Sequence, residues 1–229
     1  MIKIENLSFS YKKNSVYKNF NAQFEKNNVS VILGHNGSGK TTLLKLINGL
    51  LLPKVGRIVF TKNIIQTQDV RDIYYLPEQN GCYTNLSVKE NVSFFEAIGQ
   101  GNKESAQQVI NLFRLTHKLN SKVNTLSQGL TKRVALANCA MYNSNLLLLD
   151  EPTNGIDPET KDILINYINS TKKDKTIILS THDLSFTAEV ADQIFIIDNG
   201  NLVLNEELND KNIETLKEKY LQYTVEGMR

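Results

Sequence analysis

Residues 34–41, Gly-His-Asn-Gly-Ser-Gly-Lys-Thr, set glycines at 34, 37 and 39 directly ahead of a lysine and a threonine. Glycine backbone folds tightly and can aim several N–H groups at one point, which suits phosphate oxygens. The apolar run "VSVIL" (29–33) precedes this loop and the helical pattern "LLKLINGL" follows it. The loop therefore opens a helix, whose N-terminal partial positive charge also favours an anion. In that setting Lys40 reaches the outer phosphates of a nucleotide and Thr41 offers a hydroxyl to Mg²⁺. A glycine-rich loop can be purely structural, but Gly-x4-Gly-Lys-Thr between a strand and a helix leaves that option little room.

A second apolar run, "LLLLDEP" (146–152), delivers Asp150 and Glu151 to the end of a strand. Ligands of open α/β sheets bind at that carboxyl edge. There Asp150 can hold the water shell of Mg²⁺, and Glu151 can polarise an attacking water. A strand ending in Asp-Glu is commonplace alone; the phosphate loop upstream gives it a role. "TIILSTHD" (176–183) ends a third run at His182, placed to hydrogen-bond a terminal phosphate and orient water with Glu151. In "LSQGL" (126–130), Ser127 takes a helix N-cap position and Gly129 adds bare backbone, a second anion site far along the chain. Standing alone, that segment would be an ordinary capped helix.

The elements that must position these groups are legible as patterns. Short apolar runs alternate with helical stretches, as in an α/β parallel sheet. The runs 29–33, 146–150 and 176–180 are continuously apolar, as strands buried on both faces should be. "IKIENLSFSY" and "KNFNAQFEK" alternate with period two and predict half-exposed antiparallel strands. "IFIIDNGNLVLN" (194–205) predicts a hairpin turning at Asn199-Gly200. Helices are expected over 104–115, with Ala106, Val109, Ile110 and Phe113 on one face, and over 130–141, with Leu130, Val134, Ala137 and Met141. Asp157 and Pro158 suit the cap and first turn of another. Beyond 205 the chain turns charged, and Ile213, Leu216 and Tyr220 suggest a tail helix docked on its own domain.

Composition narrows the class. With 22% charged and 41% hydrophobic residues, the 229-residue chain matches an ordinary soluble domain. A net charge of +2 is too small to argue for nucleic acid or an anionic membrane surface, and no nucleic-acid partner is expected. Apolar runs of four residues fall far short of the roughly 20 that span a bilayer. The N-terminus alternates like a strand and lacks the apolar core of a signal peptide. Cys82 and Cys139 lack metal-ligand spacing and are expected as reduced thiols of a cytoplasmic protein.

Together these residues resemble the nucleotide-binding subunits of ABC transporters over nearly the whole chain. "GHNGSGKT" resembles the family's Walker A loop, "LLLLDE" its Walker B strand and catalytic glutamate, and "LSQGL" its signature. "NGID" (154–157) is similar to its D-loop, His182 to its switch histidine, and Tyr11 to the aromatic that stacks on adenine. Such stacking contributes about 1–3 kcal/mol, although Tyr11 would also serve as a strand aromatic packed in its sheet. Two departures stand out: Gln128 replaces the first signature glycine and Leu130 the glutamine, and the D-loop has Gly-Ile-Asp where many members have Ala-Leu-Asp.

The resemblance implies a P-loop NTPase (RecA-like) parallel-sheet core of the ABC ATPase type, with an N-terminal antiparallel β subdomain and a helical insertion. One domain would cover 1–229: 1–84 and 126–205 as ATP-binding core with its β subdomain, 85–125 as helical subdomain, and 206–229 as tail. ATP and Mg²⁺ are the implied cofactors. Gly34, His35, Asn36, Gly37, Ser38, Gly39, Lys40, Thr41 and Thr42 would surround the phosphates, while Ser127 and Gly129 would reach the ATP of a second ATPase subunit. Thr41 and Asp150 would serve the metal, joined by Glu78, which aligns on "YLP" with the family's metal-contacting glutamine; Gln79, one residue later, is the alternative. A carboxylate there would bind Mg²⁺ more strongly than an amide. Glu151 and His182 would be catalytic. The transport path would belong to a separate integral-membrane subunit, leaving this chain cytoplasmic and peripheral at the inner face of the membrane. Phe94 and Phe95 lie where a docking groove for that subunit would run, although core packing is the plainer expectation for each. "YLPEQNGCYTNLSV" is similar to a stretch common in single-cassette exporters of drugs, peptides and antibiotics, which points to export. Import and a soluble ATPase of translation or DNA repair are the alternatives; the latter usually carry two cassettes or a long coiled-coil insertion.

Overall fold

The structure, a computed structural model, describes residues 1–61, 72–79, 81–99 and 105–225. Its first half runs β1 (Ile2–Tyr11), β2 (Asn14–Phe24), β3 (Val29–Leu33), α1 (Lys40–Ile47), β4 (Val55–Phe60), β5 (Ile73–Leu76), α2 (Val88–Ile98) and α3 (Ala106–Leu112). Its second half runs α4 (Gln128–Tyr142), β6 (Leu146–Asp150), α5 (Pro158–Thr171), β7 (Thr176–Thr181), α6 (Leu184–Val190), β8 (Gln193–Asp198), β9 (Asn201–Glu207) and α7 (Ile213–Val225).

Two sheets divide the strands as their patterns require. The half-exposed strands form an antiparallel sheet in the order β2-β1-β4. The apolar runs form a six-stranded sheet, β5-β6-β7-β3-β8-β9, parallel except for the final hairpin pair. Its middle strands are covered on both sides. Val29, Val31 and Leu33 of β3 join one core with Leu147 and Leu149 of β6, whereas Ile32 joins a second core with Leu146 and Leu148. The second core is closed by β1, β2 and α1, with Phe24 and Phe195 stacked at 4.5 Å across the two sheets. This two-sided burial explains why those strands show no alternation.

Helix starts follow their caps. Ser87 and Glu90 form a capping box on α2, and Ser105 and Gln108 one on α3. Asp157 accepts from the Thr160 amide at 2.8 Å, and Pro158 opens α5. The structure also corrects three expectations. The helix expected over 104–115 stops at Leu112, because Arg114 adopts a left-handed backbone (φ 53°); Phe113 and Leu115 are buried all the same. β2 begins at Asn14 and ends at Phe24, ahead of the turn where Asn27 is left-handed. Finally, α4 is not one-sided: from Lys132 to Met141 every residue is buried. Leu216 of α7 is buried and Tyr220 packs on the core, while Ile213 is exposed. Among the described residues no helix is long and apolar enough to cross a membrane.

The 199–200 turn shows how tightly the sheets meet. Asn199 and Gly200 both have positive φ, as a type I′ hairpin turn demands. A Cβ on Gly200 would lie 1.8 Å from the Val16 carbonyl oxygen of β2. Gly200→Ala should therefore lower the unfolding free energy by about 2–4 kcal/mol, from left-handed strain plus overpacking. Urea unfolding checks this, and an unchanged midpoint would refute the close approach.

Candidate functional site

The 34–42 loop is built from contacts made by its own backbone and by its neighbours. Gly39 caps α1 with φ 116°, and Tyr17 of β2 donates to its carbonyl at 2.9 Å. A Cβ on Gly39 would lie 2.6 Å from that hydroxyl oxygen, so only glycine fits. Burial keeps the Tyr17 hydroxyl protonated by raising its pKa well above the usual range. Gly37, also left-handed, faces open space. Lys40 is buried and curls back, donating to the carbonyls of Gly34 (2.8 Å) and His35 (3.2 Å). The His35 ring lies between Asn36 O (2.8 Å) and Asp198 Oδ1 (3.1 Å), tying the loop to the end of β8.

Parallel register brings the acids to this loop. β6 and β7 pair so that Asp150 stands opposite Ser180. Asp150 Oδ1 accepts from Thr41 Oγ1 (3.0 Å) and Ser180 Oγ (2.7 Å), and Oδ2 accepts from Tyr75 OH (3.1 Å). Burial, then the Asp150 charge, raise the Tyr75 pKa, so its hydroxyl remains a donor. Glu151 sits in the left-handed region (φ 44°), held by bonds from its amide to Ser180 O (3.1 Å) and Oγ (3.0 Å). Its buried carboxylate pairs with Lys40 at 3.3 Å and meets His182 Nδ1 at 3.0 Å. Lys40, Thr41, Asp150, Glu151 and His182 therefore converge at one sheet edge.

Other predicted residues sit around this centre. Tyr11, at the end of β1, is 45% exposed with its hydroxyl 3.5 Å from Thr42 Oγ1. Its ring packs edge-on against Phe9 of the same strand at 4.9 Å and is otherwise open beside the loop. Glu78 is exposed; its Oε1 accepts from Asn154 Nδ2 (2.9 Å), and its carbonyl accepts from Lys132 Nζ (3.2 Å). Burial lowers the Lys132 pKa, against the raising influence of Glu78. Gln79 is exposed as well. Ser127 caps α4, accepting from Leu130 N at 3.4 Å, with Gly129 behind it against Asp157. Among the described residues no hydrogen bond joins Ser127 to the 34–42 loop. The single chain does not bring those two anion sites together. Sequence reasoning did not single out Ser180, Tyr75 or Lys132, and it reached Asn154 only as part of the 154–157 turn; for Ser180 the cue was a serine near the end of the apolar run of β7.

The residues present fit a bound triphosphate and divalent cation. Ser38 Oγ is buried beside the loop without a hydrogen-bond partner among the described residues, and Glu151 Oε1 is met there only by the Lys40 ammonium at 3.3 Å. Among those residues no three His, Cys, Asp or Glu side chains form a metal cluster. A cation held by Asp150 and Thr41 would thus complete its shell with phosphate and water oxygens, as Mg²⁺ usually does. Fold and site together define a phosphate-loop ATPase of the ATP-binding-cassette type.

Comparison with known proteins agrees. The ABC transporter family model matches residues 17–154, and the chain belongs to that family as an ATP-binding subunit. It is 33% identical over 218 residues to the lantibiotic transport ATP-binding protein SrtF of Streptococcus pyogenes, covering 94% of this chain and 95% of the relative. It is also 33% identical to the molybdate/tungstate import ATP-binding protein WtpC of Methanocaldococcus jannaschii, over 89% of this chain and 69% of that one. A solved structure of the ATP-binding subunit of an ABC transporter superposes with a TM-score of 0.81 at 25% identity, over 99% of this chain and 97% of the other.

The buried Lys40–Glu151 pair makes a stability prediction. Lys40→Ala leaves a buried carboxylate without its cation and should lower the nucleotide-free unfolding free energy by about 1–3 kcal/mol. The Lys40→Ala/Glu151→Ala double variant should regain part of the loss in the same urea titration. If Lys40→Ala unfolds at the wild-type midpoint, the two side chains are not paired.

Proposed function

We propose that this chain hydrolyses ATP as one half of a head-to-tail pair of cassettes and drives transport through a separate membrane subunit. The observation that carries the reading is the convergence of Lys40, Thr41, Asp150, Glu151 and His182 at one sheet edge, with Ser127 bonded only within its own helix cap among the described residues. A second copy turned head to tail supplies the missing signature to each loop.

The residues divide the work. Backbone N–H groups of the 34–41 loop and the α1 N-terminus bind phosphate oxygens, and Lys40 moves from its carbonyl partners to the outer phosphates. Mg²⁺, when bound, neutralises developing charge on those phosphates. Asp150, with three donors already on its carboxylate, and the Thr41 hydroxyl beside it would hold the cation. Glu78, held through Oε1 by Asn154, would offer the cation a carboxylate oxygen. Glu151 takes the proton of the attacking water, and His182 orients that water and the terminal phosphate. Tyr11 stacks on the base.

An open hollow of about 270 Å³ beside the 75–83 segment supports docking on a membrane subunit. Tyr74, Tyr75, Tyr83 and Phe95 line it, and Phe94 meets Tyr83 edge-to-face at 4.9 Å. Phe94 is 38% exposed rather than packed in the core, whereas Phe95 is half-buried. Its lining of aromatic rings and polar groups suits an amphipathic helix end from that subunit. We assign the direction as export from the "YLPEQNGCYTNLSV" stretch; one relative serves lantibiotic transport and another import.

Replacing the proposed base tests the scheme. Glu151→Gln should cut ATP turnover by about 10²–10⁴-fold and accumulate as a dimer in Mg-ATP on size exclusion. Full turnover, or a strict monomer, would defeat it.

A further inference from the structure

Two positions in this chain fit each other sterically. Gly155 has φ 70°, and a Cβ built on it would lie 2.3 Å from Gln128 Nε2 and 2.7 Å from its Cδ. The Gln128 amide occupies the space a side chain at 155 would need. It can do so because residue 155 is glycine, so the departure in the signature and the departure in the 154–157 turn form one contact.

That contact joins a larger seam. One residue on, a Cβ at Gly129 would meet Asp157 Oδ2 at 2.8 Å. Arg133, buried one turn into α4, donates to Asp157 Oδ1 (3.2 Å), Thr160 Oγ1 (2.7 Å) and Glu159 Oε2 (2.6 Å). The start of α4 is thereby fixed to the start of α5. The turn between β6 and α5 faces the site with its other residues. Thr153 Oγ1 lies 3.0 Å from Thr181 Oγ1, next to His182, and Asn154 holds Glu78 at 2.9 Å.

We infer that Gln128 is a positioning residue: packed on the bare backbone of Gly155, it sets the 153–157 turn, and through Asn154 and Thr153 it aligns Glu78 and His182 with the signature cap at Ser127. The inference rests on the ATPase reading above. Gln128 touches none of the proposed reacting groups, so its effect falls on turnover and not on nucleotide affinity.

A double-mutant cycle separates this contact from backbone strain at Gly155. Alanine at 155 carries the same left-handed strain whatever stands at 128, so strain cancels in the comparison. In the Gln128 background, Gly155→Ala pushes the amide aside and should lower kcat about tenfold. In the Gln128→Ala background the same change should cost no more than about threefold. Gln128→Met keeps the bulk and should recover most of the kcat lost in Gln128→Ala. Throughout the series, binding of a fluorescent ATP analogue in EDTA and the thermal midpoint of Gln128→Ala should stay at wild-type values. The inference is overturned if Gly155→Ala costs the same factor in both backgrounds, if Gln128→Ala turns over ATP like wild type, or if its losses track nucleotide affinity. Should Gly155→Ala fail to fold, the Gln128→Ala and Gln128→Met comparison decides by itself. A wild-type chain without ATP turnover would remove the parent reading too; normal wild-type turnover with additive variants removes only this one.

Discussion

The register between β6 and β7 is the constraint on which the site depends. Both strands are buried throughout and apolar between their ends, so inside and outside residues do not alternate to set their pairing. The polar ends do that work: Ser180 donates to Asp150 and accepts from the Glu151 amide. A slip of one residue would strand a buried carboxylate, whose unpaired burial costs several kcal/mol. Fixing this pair simultaneously places Glu151 against Lys40 and His182 against Glu151. The same bonds therefore specify the fold and assemble the chemistry.

Much of this was legible in the sequence, for reasons that differ by residue. The phosphate loop, Asp150, Glu151 and His182 stand at the ends of apolar runs, and a run of five buried residues leaves little choice of where its last residue points. The α/β architecture and the Asn199-Gly200 hairpin followed from patterns of the same local kind. The partners of these groups were not legible. Tyr75, Asn154 and Lys132 reach the site from separate elements, and only tertiary packing tells which tyrosine or lysine arrives. Helix α4 misled for the opposite reason: a four-residue apolar face suggested one buried side, but the helix is enclosed on all sides. Its Lys132 and Arg133 are buried because each finds acceptors there. Phe94 looked like a core residue by type and emerges at the rim of a hollow.

The two thiols follow the same logic of burial. Cys139 is enclosed in the main core, and Cys82 sits beside α4 with its Sγ donating to Thr131 O. Burial pushes both up to about 12, so each remains a thiol at neutral pH and neither is a nucleophile.

The left-handed backbone of Glu151 has a cost that the rest of the fold must carry. A non-glycine residue at φ 44° is strained, and here the strain is combined with burial of a carboxylate. Glycine or asparagine would suit that backbone better and bury no charge. Either would also remove the counter-charge of buried Lys40, so the strained backbone at 151 and the ion pair it presents stand or fall together.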